Sequence, residues 1–191
     1  MLLIQLCGMG VRLTFLVAAW LCFHACPALL RAQDASNRDI LLLLQEGVAR
    51  LNQKDYPAAL NFFNEVLKLS PHNSIALVNR GIVKARLGNY EGAVLDYSAA
   101  LNIDSTDFRT YYNRGRAYME LKQYALAIAD FTAALRLDSG YANAYTNRAN
   151  ARLQLNDSLG AYQDYIKAAQ LGSLKVREFL KAKGIDWERA Q

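Results

Sequence analysis

The chain has 191 residues, 53% apolar and 20% charged, with 22 Lys and Arg against 17 Asp and Glu. That balance suits one folded domain with an ordinary core and excludes an intrinsically disordered chain. The formal charge of +5 does not mark a nucleic-acid binder, because Lys and Arg are spread along the chain with Asp and Glu between them.

Residues 1–33 differ in kind from the remainder of the chain. Only Arg12 and Arg31 are charged there, Leu13 to Leu30 is almost continuously apolar, and a polar switch comes at Arg31-Ala32-Gln33-Asp34. This is the pattern of an export signal, with cleavage expected near Ala32 or Gln33. The alternative is an uncleaved membrane anchor over residues 13–30, a run near the minimum that spans a bilayer but interrupted by His24 and Pro27. Both readings send the protein to the periplasm or cell envelope, with membrane contact only through this segment if it stays uncleaved. Cys7, Cys22 and Cys26 all lie inside it, so the mature chain is expected to hold no thiol and no disulfide. Residues 34–39 are polar and read as a linker.

Beyond residue 39 the chain repeats itself every 34 residues. Asn79-Arg80-Gly81, Asn113-Arg114-Gly115 and Asn147-Arg148-Ala149 recur at that spacing, and Ala93, Ala127 and Ala161 each precede an aromatic residue, Tyr97, Phe131 or Tyr165, by four positions. Gly47, Ala59, Phe63, Val66 and Pro71 extend the frame backwards, giving units 40–73, 74–107, 108–141 and 142–175. Each unit reads as two helices: small residues fall where helices must approach closely, and aromatic residues fill the gap between them. Lys54-Asp55, Gly88-Asn89, Lys122-Gln123 and Asn156-Asp157 mark the bend within each unit, while Ser70-Pro71, Asp104-Ser105 and Asp138-Ser139 are read as capping the next unit's start.

This pattern resembles the tetratricopeptide repeat, a 34-residue helix-turn-helix unit with a Gly, Tyr, Ala, aromatic, Ala, Pro signature. The resemblance implies an all-α, right-handed helix-turn-helix solenoid of four units. The fourth unit departs most, with Ala149 for Gly, Ser158 for the turn tyrosine and Gly172 ending its second helix early. Leu174, Val176, Phe179 and Leu180 at helical spacing make residues 173–183 a terminal helix that covers the last packing face, and Trp187 in the tail, residues 184–191, is expected to fold back on it.

One pairing can be read from the repeat alone. Arg80, Arg114 and Arg148 stand at the seventh position, and Asp96, Asp130 and Asp164 at the twenty-third; the first unit has neither, carrying Glu46 and Phe62 instead. Charges that appear and disappear together are expected to meet, here as ion pairs between the two helices of one unit. Such pairs fix geometry more than they add stability.

Chemistry has little to work with. Past the signal there is a single histidine, His72, in the Pro71-His72-Asn73 turn, and no glycine-rich phosphate loop. No catalytic residue, metal site or cofactor is expected. Binding has more: the resemblance implies a concave groove lined by the first helix of each unit, open to a protein or peptide ligand. The candidate groove residues are Asn79, Asn113 and Asn147, one repeat apart, with Arg109, Tyr112, Arg116, Asn143 and Asn150 making the later half polar and basic. Val48 and Ile82, with Leu41, Leu44, Leu51, Ile75 and Val78, make the earlier half apolar unless they pack between repeats. An amide both donates to and accepts from a peptide backbone, so three asparagines in register resemble a ladder for an extended chain. A clamp for a terminal carboxylate is not expected, because those positions hold Leu44, Val48, Asn79, Arg109 and Asn113. The function expected is an interaction scaffold; a homo-oligomeric structural part and a non-catalytic subunit of a larger complex are the alternatives.

Overall fold

The computed structural model describes residues 37–188, so the expected export segment, residues 1–33, lies outside the described residues. Among those residues every regular element is a helix. Helix α1 covers 37–52, which makes the end of the stretch read as a linker already helical. After it come α2 (Tyr56–Leu69), α3 (Ser74–Arg86), α4 (Tyr90–Ile103), α5 (Phe108–Glu120), α6 (Tyr124–Leu137), α7 (Ala142–Gln154), α8 (Ser158–Gln170) and α9 (Leu174–Ala182). No described helix is long and apolar enough to cross a membrane.

Two kinds of turn alternate. Within a unit, one residue takes a left-handed conformation: Lys54, Lys122 and Asn156 at φ 57–62° and Gly88 at φ 82°. The next residue caps the second helix, and Asp55, Asn89 and Asp157 each accept from the backbone N–H three residues on. Between units the caps lie later than the sequence reading placed them. Asn73 and Asp107 accept from the N–H groups of Ala76 and Arg109, whereas Asp104 and Asp138 end the preceding helices and accept from Thr106 and Gly140 inside the loop. An aspartate two residues before a loop N–H closes an Asx turn, so the same residue type serves a different end.

From Leu44 onward the helices pack in chain order, each against the next. In addition α3 touches α5 and α5 touches α7, so the first helices of successive units line one side together. That side is the inner one. The core lies between the two helices of each unit: Ala59, Ala93, Ala127 and Ala161 are fully buried, and so are Phe63 and Phe131. Gly81 and Gly115 sit under the aromatic rings, where an added Cβ would come within 2.7 Å of Tyr97 and 2.8 Å of Phe131. At the far end Val176 and Leu180 of α9 pack on Ala168 and Ala169, joined by Ile185 and Trp187, with the Arg177 guanidinium 4.6 Å from the Trp187 ring centre.

The apolar half of the expected groove divides. Leu44 and Leu51 pack against Ala59, Phe63 and Val83, and Val78 and Ile82 pack against Ala93, Tyr97 and Ala117. Ile75 and Val48 stay exposed at 59% and 36%. Positions that face a groove and positions that fill the space between neighbouring units share one helix face, and hydropathy alone does not separate them.

Candidate functional site

The inner face is set by which arginines are already neutralised. Arg80 donates from Nε and Nη2 to both carboxylate oxygens of Asp96 at 2.9 and 2.7 Å; Arg114 does the same to Asp130 at 2.8 and 2.8 Å, and Arg148 to Asp164 at 2.9 and 2.7 Å. The aspartates are 3–5% exposed. Fork-to-fork geometry gives each pair two parallel charge-assisted hydrogen bonds and fixes its orientation. The hydrogen bond to Asp130 holds the Arg114 guanidinium above its ordinary pKa.

Each arginine also reaches backwards. The third nitrogen, Nη1, donates to Asn64 from Arg80, to Ser98 from Arg114 and to Thr132 from Arg148, at 2.9–3.0 Å, all on the second helix of the preceding unit. These acceptors stand 34 residues apart, at one position of the repeat, but a different residue type fills it each time. A second cation joins two of the aspartates, Lys84 on Asp96 and Arg152 on Asp164, both at 2.8 Å; Tyr118 stands at that position in the unit between.

The asparagines do not form three equal rungs. Asn79 donates its amide to the Ile75 carbonyl of its own helix at 2.9 Å, and Asn147 donates to the Tyr112 hydroxyl of the previous unit at 2.9 Å. Asn113 lines a pocket of about 370 Å³. Asn150, expected in the groove, instead accepts from the Tyr165 hydroxyl at 2.5 Å and ties α7 to α8. Asn143 is exposed.

Around Tyr112 the inner face is aromatic. Its ring meets Tyr141 edge-on at 4.8 Å and Phe131 at 5.8 Å, and Phe108 meets Tyr141 at 5.2 Å. Burial pushes the Tyr112 hydroxyl above its ordinary pKa, with Tyr141 adding to the shift. Arg109 and Arg116 are exposed and hold their guanidiniums 4.9 Å from the Phe108 and 5.9 Å from the Tyr112 ring centres.

Two models of the tetratricopeptide repeat match the chain, one described as TPR repeat over residues 84–122 and one as Tetratricopeptide repeat over 108–141. A search of the curated proteins returns no match. Among solved structures, MamA residues 41 to the end from Desulfovibrio magneticus RS-1 is 28% identical at a TM-score of 0.65, covering 68% of this chain and 73% of that one. Another MamA structure, 21% identical, aligns at a TM-score of 0.70 over 78% of this chain and 85% of that one. The first TPR of Spaghetti (RPAP3), bound to the HSP90 peptide SRMEEVD, is 22% identical at a TM-score of 0.61 and covers 62% of this chain and 94% of that one. At those identities the last two show the fold alone. A repeat read from spacing, matched by the repeat models and built as stacked helix pairs places this chain in the tetratricopeptide-repeat family.

Proposed function

We propose that the chain is an interaction scaffold that holds an extended segment of a protein partner along the inner face of its first helices. One observation carries the reading. The arginines that serve the fold, Arg80, Arg114 and Arg148, are matched by buried aspartates, whereas Arg109 and Arg116 on α5 are exposed beside aromatic rings, Arg116 also near the Asn113 amide, and neither takes part in an ion pair among the described residues. Exposed cations beside aromatic surface and a free-standing amide are what a polypeptide with an acidic face can use. A repeat structure carrying a bound peptide supports the same reading by likeness of fold.

A photo-crosslinking residue at position 113 or 143 should give a partner adduct in cells, while the same residue at Leu95, 71% exposed on a second helix, should give none. Adducts of equal yield from position 95 would move the site to the other face. With the captured partner in hand, Asn113→Ala should weaken binding by roughly 1–3 kcal/mol if the amide pairs with backbone.

The reading includes export, supported by the apolar run Leu13 to Leu30 and the polar switch after it. Mass spectrometry of the native protein should find a chain that begins near Asp34. An intact Met1 to Gln33 would favour the anchor. A second reading, self-association through the end helix, draws on Leu174 and Phe179, 71% and 37% exposed. Sedimentation that shifts with concentration, and is abolished by Leu174→Glu, would establish it.

A further inference from the structure

Where the second and third units meet, the inner face holds a pocket of about 370 Å³ whose wall includes Arg86 of α3, Asn113 and Arg116 of α5, Tyr90 of α4 and the apolar side chain of Ile82. Arg86 is inconspicuous in the sequence, because it stands at the thirteenth position of its unit and Arg116 at the ninth of the next, so no repeat spacing links them. The fold brings them together. Both guanidiniums also act on the buried Tyr97 hydroxyl at the back of the pocket: burial pushes that group far above its ordinary pKa, and Arg116 and Arg86 each pull it back.

Among the described residues neither Arg86 nor Arg116 takes part in an ion pair, unlike the arginines of the core. One carboxylate, Glu120, shares the pocket wall and is exposed. Two cations against one anion leave the pocket net positive. Its remaining wall offers an amide, two tyrosines and aliphatic surface, which suits one anionic side chain followed by an apolar one.

We infer that this pocket, resting on the groove reading above, receives an aspartate or glutamate side chain of the bound segment, with Arg86 and Arg116 on the carboxylate and Asn113 on the neighbouring peptide bond. It differs from a terminal-carboxylate clamp, since neither arginine stands at a clamp position and Leu44 and Val48 occupy two of those. The acid it takes is internal to a chain.

The test is selection of a random dodecapeptide display library on the full chain and on its Arg86→Gln/Arg116→Gln variant, with thermal unfolding to show that both are folded. Wild type should enrich peptides with Asp or Glu next to an apolar residue, and the variant should lose that enrichment. A synthetic copy of the top peptide should bind the variant about tenfold or more weakly, and its Glu→Gln version should bind both proteins alike. Glu120→Gln should tighten the acidic peptide by about two- to fivefold, since it removes the like charge from the wall. Enriched peptides with no acidic residue, or an acidic motif that the arginine variant still selects, would overturn the pocket and leave the groove reading standing. No enrichment on wild type would overturn both. Self-association that disappears in the arginine variant would put a second copy in the pocket and overturn the assignment to a free peptide.

Discussion

Asp164→Ala should cost about 3–5 kcal/mol of folding stability, read by urea unfolding, and more than Asp130→Ala. Asp164 is 3% exposed and accepts from Arg148 and from Arg152, so deletion leaves the partly buried Arg148 without a counter-charge and Arg152 with only the half-exposed Asp157, 3.5 Å away. The cost lies in those cations. Replacing Arg148 and Asp164 together, by Met and Leu, should therefore be milder than Asp164→Ala alone. Asp130 neutralises Arg114 and, with Tyr118 at the next site, no second cation, which is why its removal should be the smaller loss. A cycle of Arg114→Ala with Asp130→Ala should show coupling on the order of 0.5–3 kcal/mol. A change at Asp164 within about 0.5 kcal/mol of wild type, the range of an ordinary surface site, would rule out this account of the pairs.

The other large effect is expected at Phe131. Its ring is fully buried against Ala127 and Ala151 and lies over Gly115, so Phe131→Ala should cost about 3–5 kcal/mol through lost burial and the cavity left behind. Gly115→Ala strikes the same contact from the other side, because its Cβ would stand 2.8 Å from the ring. Overpacking of that kind costs typically about 1–3 kcal/mol. The fourth unit carries the larger residue at that position: Ala149 replaces the glycine, packed in one cluster with Tyr165, which is 7% exposed and donates its hydroxyl to Asn150. Combining Gly115→Ala with Phe131→Leu should thus cost less than the sum of the two. If the two add strictly, the ring and the glycine do not constrain each other.

The repeat was legible because its signal is steric. A glycine or alanine under an aromatic ring, every 34 residues, has no other simple explanation than helices in close contact, and the frame of Gly47, Gly81 and Gly115 comes from that alone. The Arg–Asp pairing was legible for a different reason: the first unit lacks both partners, which is a natural comparison inside one chain. The acceptors Asn64, Ser98 and Thr132 stayed hidden because three residue types share one task, and a search for identity passes over them. Arg86 with Arg116, and Tyr112 with Asn147, stayed hidden because each juxtaposition occurs once. The tie from Tyr165 to Asn150 stayed hidden because helical spacing gives a residue's angle on the helix and not the reach of a tyrosine opposite.

The backward reach of Arg80, Arg114 and Arg148 makes the block of cooperation differ from the block of sequence. Each guanidinium belongs to two units at once, held by an aspartate of its own and an acceptor of the one before, so it is a nearest-neighbour coupling in a one-dimensional array and not an internal property of a unit. Cutting the chain at residue 74, a boundary of the sequence repeat, would orphan the Arg80 contact to Asn64, whereas cutting ahead of α2 would keep it. The segment that melts or holds as one is therefore shifted by a helix from the segment that the sequence repeats.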